Sequence, residues 1–479
     1  MGFARRRVRS GGGLLRCGPA AHGPPDLTEL CGPAAGRGRV TVAGQAFQRV
    51  LERIPDPFLF VLLLTLVTGL LALGQEAVGP AQVLDAWGNG LGGLLAFTSQ
   101  IALTLLLAHA LAHTDAMAAL LRFVARLPRT PVMAYAVVSL GTSLLSLAAW
   151  SLGLAGGALL AQAMAREGAA RGWRLDYPLL VASAYGGFVV WHMGYSGSAP
   201  LFMATAGQPL VARFGVVPLT ETILTPWNLG LAALLALAMA ALAARLAPPE
   251  PTLFTPRAEP AQAGPSRASR LSLGEGPVLT GLFALLLGTF LLRQLLVHER
   301  SVDLNWVNWS FLTLGLALAR SPNHYAALIM EAGRSLGPVL LQYPFYAGIM
   351  GIMVGAGLAE GLAAFCVAQA SEATLGFWAF LAGGVLNFFI PSGGGQWVVQ
   401  GPIFLAAAET LGTPLPEVIM GVAYGDQWSN LIQPFWTVPL LAIAGLPLQS
   451  VLRYSVIMFL CSGVLLGLGM LALGAWGSA

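Results

Sequence analysis

Apolar runs that are interrupted from within constrain this chain more than any other feature. Clear runs lie near residues 57–74, 91–113, 222–245, 276–297, 304–320, 335–357 and 454–476. A helix crosses a bilayer with about 20 mostly apolar residues, and each run approaches that length. Between them, 131–166, 177–206, 374–410 and 416–445 are as apolar but are broken by Gly, Pro, Ser or Asn. Backbone groups in hydrocarbon have no water to bond, so broken helices are tolerated only where they line a cavity or pack inside protein. Charged residues are 10% of the chain, against about 25% in soluble domains, too few to cover a water-soluble particle of this size. The expected fold class is an all-α polytopic membrane protein.

Every basic residue besides His is arginine, and arginine placement sets the expected orientation. Arg49 and Arg53 precede the first run, so the N-terminus is expected in the cytoplasm. The loop with Glu76 and Asp85 has no arginine and is expected outside, while Arg122, Arg126 and Arg129 return the chain inside. Cationic loops bound 131–166 on both sides, as expected of a re-entrant hairpin or paired spans. Glu372 and Glu409 flank 374–410, a hairpin expected to enter from outside. The C-terminus is then outside, across a bacterial inner membrane. The arginines are scattered over short loops, which argues against nucleic acid as a partner. Cys17, Cys31, Cys366 and Cys461 show no metal-ligand spacing or disulfide framework.

Residues 1–45 carry Arg5-Arg6-Arg7 and a Gly/Pro-rich stretch, and read as a disordered or untranslated extension. Residues 46–246 form a first membrane repeat, 247–275 a cytoplasmic, poorly ordered linker, 276–300 a connecting span and 301–479 a second repeat. The repeat rests on Ala184-Tyr185-Gly186 recurring as Ala423-Tyr424-Gly425, and Pro200-Leu201 as Pro439-Leu440, both at an offset of 239. Each half reads span, span, hairpin, broken span, span. One starts inside and the other outside, so the repeats are inverted.

Half-helices that end inside a membrane present unpaired N–H donors and about half a positive charge. Two hairpin tips of this kind hold a small anion without a buried Arg. The second tip, Asn387 to Trp397, contains Pro391-Ser392-Gly393-Gly394-Gly395, where glycine allows close approach to a ligand. The expected anion contacts are Ser151, Gly153, Ser196, Ser198, Ser392, Gly393, Gly394, Gly395 and Gln396. Trp150, Trp191 and Trp397 are the expected apolar wall. Asp426 stands in Tyr424-Gly425-Asp426-Gln427-Trp428-Ser429-Asn430, and an acid inside an apolar span costs about 2.5–3.5 kcal/mol, which marks ion or proton movement. Asp426, with Asn387, Gln427 and Asn430, is the candidate coupling-ion site. His192 reads as an interior histidine or a proton relay. His109, His113 and Glu331 read as loop or interface residues.

At these residues the chain resembles the bacterial short-chain fatty acid transporter family, from about Leu51 to the C-terminus. The marks are Pro55-Asp56-Pro57, Tyr195-Ser196-Gly197-Ser198, Gln342-Tyr343-Pro344-Phe345-Tyr346-Ala347-Gly348, Asn387 through Gln400-Gly401-Pro402, Ala423 through Trp428, and Gln433-Pro434-Phe435-Trp436. The resemblance implies uptake of acetoacetate, butyrate or similar monocarboxylates, and a place among ion-coupled transporters with paired hairpins. Ala148-Ala149-Trp150 departs from it, lacking the amide expected beside the Trp. The expected partners are the monocarboxylate, H⁺ or Na⁺, the lipid bilayer and a second copy in a homodimer. No cofactor or metal is expected. A dicarboxylate carrier or a cation/proton antiporter of the same fold are the alternatives, and the first would need a second anion site. A membrane enzyme would need a nucleophile–base pair or a metal cluster, and His109 and His113 have no carboxylate between them.

Overall fold

A computed structural model describes residues 56–205, 209–255, 276–297, 304–334 and 336–477, whose regular structure is helical throughout. The expectations for residues 1–45, Arg49, Arg53, Pro55, Cys17, Cys31 and linker residues 256–275 lie outside this set. Cys366 and Cys461 are free thiols.

Helices α1 (Pro57–Leu73), α2 (Pro80–Gly90), α3 (Leu95–Ala112) and α4 (Asp115–Ala125) lead to a hairpin of α5 (Pro131–Ala148) and α6 (Trp150–Ala170). A broken span follows: α7 (Tyr177–Phe188), a 3-10 turn at Trp191–Met193, then α8 (Ser198–Ala204). After it come α9 (Pro209–Phe214), α10 (Pro226–Arg245), α11 (Val278–Leu296), α12 (Leu304–Leu318), α13 (Pro322–Gly333), α14 (Gly337–Gly355) and α15 (Leu358–Ala368). A second hairpin, α16 (Leu375–Leu386) and α17 (Gly393–Leu411), precedes a second broken span: α18 (Leu415–Ser429), a 3-10 turn at Asn430–Ile432, and α19 (Pro434–Ala444). The long α20 (Leu448–Gly477) follows. The chain is an all-α polytopic membrane protein, and among the described residues six helical stretches are long and apolar enough to cross a bilayer. On α11, Val278, Leu285 and Leu296 face outward, a surface suited to lipid rather than water.

Three local features differ from the sequence reading. The run at 91–113 is part of one 33-residue crossing, Pro80–Ala112, bent where Leu91–Leu94 separates α2 from α3. Short α4, α13 and α15 carry charged residues and lie outside the apolar runs. Arg320 binds Asp115 of α4 through two hydrogen bonds of 2.8 and 3.0 Å. Its guanidinium holds the Asp115 carboxyl below its ordinary range. Third, the linker's first residues are tied down. Thr252 N–H donates to Asp176 Oδ2 at 2.8 Å, and Phe254 packs edge-on against Tyr177.

The helix breaks follow from local chemistry. Gln433 precedes a proline and is extended (φ −90°, ψ 123°), while Pro434 opens α19, where its missing N–H costs nothing. At Gly194 the chain passes so close to the Leu147 backbone that a Cβ would overlap it. The two broken spans support each other. Tyr185 OH donates to the Asn430 carbonyl in the second break. Tyr424 OH donates to Asn228 Oδ1 at 2.7 Å, and Asn228 Nδ2 donates to the Met193 carbonyl at 2.9 Å in the first break. The tyrosines of the two Ala-Tyr-Gly segments thus each serve the opposite broken span or its neighbour.

Glycine permits the tight crossings that frame the site. A Cβ at Gly187 would overlap Ser139 O of α5, and one at Gly425 would overlap Phe380 O of α16. Gly187→Ala is expected to destabilise the protein by about 1–3 kcal/mol, since backbone cannot yield as a side chain does. Gly230→Ala, where a Cβ meets open space, is expected to leave stability unchanged or slightly raised. Thermal unfolding in detergent checks the contrast.

Candidate substrate and ion site

The first hairpin turns at one residue. Ala149 is extended (φ −158°, ψ 135°) between α5 and α6, so the tip is tight. Trp150 N–H, an unpaired donor at the start of α6, is satisfied by Ser196 Oγ at 2.9 Å, and Tyr195 N–H donates to Leu147 O at 2.8 Å. Segment 194–198 therefore seals this tip. Gly153 sits where α6 crosses α5; a Cβ would overlap Ser146, and its N–H donates to Ala149 O at 3.1 Å. Gly153, expected as an anion contact, thus lies in a tight helix crossing. Ser151 is buried beside it.

The other side of segment 192–198 meets the second tip. Ser392 caps α17, its Oγ accepting from Gly395 N–H at 3.4 Å. A Cβ on Gly393 would lie 2.8 Å from Ser198 Oγ and 2.9 Å from His192 Nε2. Ser196 and Ser198 thus face different tips. Ser198 N–H donates to His192 Nδ1 at 3.1 Å, so the neutral ring carries its proton on Nε2. Nε2 lies 3.4 Å from Asp426 Oδ1, with the two side chains 1% and 2% exposed. His192 N–H donates to Gln427 Oε1 at 3.0 Å.

Around Asp426, one amide ties tip to break. Asn387 Nδ2 faces the Asp426 carbonyl at 3.0 Å, Ser429 Oγ at 2.9 Å and Asn430 Oδ1. Gln433 Nε2 donates to the Asn387 carbonyl, and Gln396 Nε2 donates to Gly383 O at 2.9 Å within the hairpin. Several buried atoms keep unused capacity, among them His192 Nε2, Asp426 Oδ2 and Gln427 Nε2. Unpartnered polar groups inside a protein are costly, and they concentrate where a ligand or proton completes the set.

Two apolar surfaces border this polar centre. Trp150, Trp191, Phe188, Trp436 and Phe97 form one aromatic cluster, with Trp150 and Trp436 centroids 5.1 Å apart. Trp397 is elsewhere, packed with Phe404 and Met203. The second surface is a cavity of about 500 Å³ beside the first turn of α17, lined by Gly394, Gly395, Val398, Phe202, Met350 and Val354 among others. A Cβ on Gly394 would meet nothing within 4 Å. The predicted site residues therefore fall into the first tip (Ser151, Gly153, Ser196), a break–tip cluster (Ser198, Ser392, Gly393, Gln396, Asn387, Asp426, Gln427, Asn430) and a cavity edge (Gly394, Gly395). The sequence reading named Gln433 and Trp436 only as marks of the family resemblance, and missed Phe202 and Met350. Gln433 alone carried a signal, as a polar residue before proline within an apolar run.

An interior built from two broken spans and two hairpins, with a buried acid and helix starts at its centre, defines a multi-pass membrane transporter. Residues 40–473 match the sequence profile described as short chain fatty acid transporter, and the chain belongs to that family. It is 36% identical over 429 residues to an Escherichia coli (strain K12) protein named "Putative short-chain fatty acid transporter", covering 87% of this chain and 96% of the relative. A Haemophilus influenzae protein of the same name is 32% identical over 427 residues, covering 85% and 93%. Among solved structures, the YdaH transporter of Alcanivorax borkumensis aligns at a TM-score of 0.44 with 16% identity, covering 88% of this chain and 98% of that one. The family is one of transporters, not of enzymes.

Asn387→Ala would leave Asn430 Oδ1 and Ser429 Oγ without their shared donor. It is expected to cost about 1–3 kcal/mol, more than the about 1 kcal/mol expected from losing the cap in Ser392→Ala. Thermal unfolding of the two variants side by side gives the ranking, and the reverse order would mean the amide network is not a support.

Proposed function

We propose that the protein is a secondary active transporter that takes up short-chain monocarboxylates, such as acetoacetate or butyrate, with H⁺ or Na⁺. The observation that carries this reading is the start of α17, where Ser392 and Gly393–Gly395 adjoin an apolar cavity of about 500 Å³. That volume lies within the usual range for small-molecule sites, about 300–1,000 Å³. The carboxylate binds against the helix start, where the partial positive charge and free N–H donors favour it and no acidic residue stands in the first turn. The alkyl tail enters the cavity between Met350, Phe202 and Val398. A dicarboxylate is disfavoured, because its second charge would lie against apolar lining without a partner. Asp426, with Asn387, Gln427 and Asn430, holds the coupling ion. Ser151, Ser196 and Ser198 support the tips on either side of segment 192–198.

This reading takes residues 46–246 and 301–479 as inverted repeats around that centre, with a linker at 247–275 and a connecting span at 276–300. The protein sits in a bacterial inner membrane, N-terminus in the cytoplasm and C-terminus outside, as a homodimer.

Reconstituted liposomes are expected to accumulate labelled butyrate when a H⁺ or a Na⁺ gradient is imposed, and Asp426→Asn to lose gradient-driven accumulation. Absence of uptake of butyrate and acetoacetate under either gradient by folded protein would overturn the assignment. Gly394→Ala, which folds without a clash, is expected to weaken butyrate affinity about tenfold or more by crowding the tail. Met350→Ala is expected to let longer unbranched acids compete better against butyrate. Unchanged competition in both variants would move the tail out of this cavity.

A further inference from the structure

His192 occupies a position that substrate binding alone does not require. It stands between three parts of the site: its Nδ1 accepts from Ser198 N–H at 3.1 Å, its Nε2 faces Asp426 Oδ1 at 3.4 Å, and Gly393 packs against the same edge of the ring. Asp426 Oδ2 and His192 Nε2 both lack a hydrogen-bond partner although both side chains are almost wholly buried. We propose that Asp426 carries a proton as the coupling ion, and that His192 ties its charge to the occupation of the Gly393 site. This rests on the carboxylate position given above.

The charges account for the coupling. In this proposal, with the site empty, Asp426 is a carboxylate facing the Nε2–H edge of neutral His192 at 3.4 Å. A substrate carboxylate at Gly393 puts a second negative charge beside the same Nε2 edge of the ring. Two like charges so near each other, away from water, are not both retained. One proton then binds the free lone pair on Asp426 Oδ2, and no bond within the substrate changes. Anion and proton enter together and leave together, and the coupling is reciprocal: each raises affinity for the other.

A sodium ion suits the same residues less well. A hard cation takes several oxygen ligands at once. Here the Asp426 carbonyl, Ser429 Oγ and Asn430 Oδ1 already face one amide nitrogen, Asn387 Nδ2, and Asp426 Oδ1 faces His192 and Asn430 Nδ2.

The other ionisable groups on the surrounding helices are engaged elsewhere. On α18, Glu417 lies more than two turns from Asp426 against Gly376, and Tyr424 OH bonds Asn228. On α7, Tyr185 OH bonds the Asn430 carbonyl. On α5, Tyr135 accepts from Asp176 N–H. On α6, Glu167 pairs with Arg171 and Arg126, and Arg166 lies over Phe254. On α10, Arg245 is in the last turn, and on α17, Glu409 pairs with Arg213 near the far end.

The test is butyrate binding to the purified full chain in detergent without Na⁺, in weak buffer with a pH-indicating dye. Butyrate is fully ionised only well above the ordinary carboxylate range, so binding is read there and any proton taken up goes to the protein. Wild type is expected to take up close to one proton per butyrate at its maximum, read between about pH 6.5 and about pH 8. Asp426→Asn is expected to bind butyrate with no proton uptake and with an affinity that no longer varies over that range. His192→Asn retains an acceptor for Ser198 N–H in its Oδ1 but is too short to bring its Nδ2 donor to Asp426, and its maximum is expected to move to higher pH. Butyrate binding without proton uptake in wild type, undiminished uptake in Asp426→Asn, or binding that requires Na⁺ would each overturn the coupling and leave the substrate reading standing. Failure of butyrate to bind at all would remove the substrate reading, and the coupling with it.

Discussion

Backbone polar groups released where helices stop inside the membrane are the constraint on which this structure depends. Such groups have no water to turn to, and each must be met by protein. The chain meets them reciprocally. Tyr185 of the first half bonds the Asn430 carbonyl in the second break, while Tyr424 of the second half reaches Met193 in the first break through Asn228. Ser196 closes the start of α6, and Ser392 closes that of α17. Neither break is complete without the other half, so the halves must fold against one another before either interior is satisfied.

This mutual support leaves an unequal pair of tips. Trp150 N–H at the first is already bonded to Ser196, and Gly153 is committed to packing on Ser146. At the second, Gly393 faces His192 and Ser198 while Gly394 and Gly395 border a cavity. On the proposed reading, charge and tail of a small fatty acid have separate surroundings within one helical turn: polar groups and a helix start on one side, Met350, Phe202 and Val398 on the other. Asp426 lies on the polar side, adjoining Gly393 through His192 rather than open to it.

Much of this plan was legible in the sequence, for a physical reason. Gly, Pro, Ser and Asn inside apolar runs are expensive in lipid, so they mark where helices break, and both hairpin tips and the 3-10 turns at Trp191–Met193 and Asn430–Ile432 fall within the four interrupted stretches. Asp426 stood out on the same ground. What could not be read was which face each residue presents. Gly153 and Gly394 look alike in sequence, yet one lies in a helix crossing and the other at a cavity edge. Trp397 and Trp436 are both apolar-run tryptophans, and only three-dimensional packing puts Trp436 beside Trp150. The helices here are buried on several faces, so hydrophobic periodicity says little about their rotation. The contact of His192 with Asp426 spans the two halves, and no local pattern announces it.

The central claim is that the start of α17 is where cargo sits, and a cryo-electron microscopy map of the protein with bound butyrate tests it most directly. The account predicts density for the carboxylate at Ser392 and Gly393–Gly395, with the tail extending toward Met350 and Phe202. Butyrate density at the first tip, or among the aromatic rings around Trp436 with the α17 start unoccupied, would contradict it.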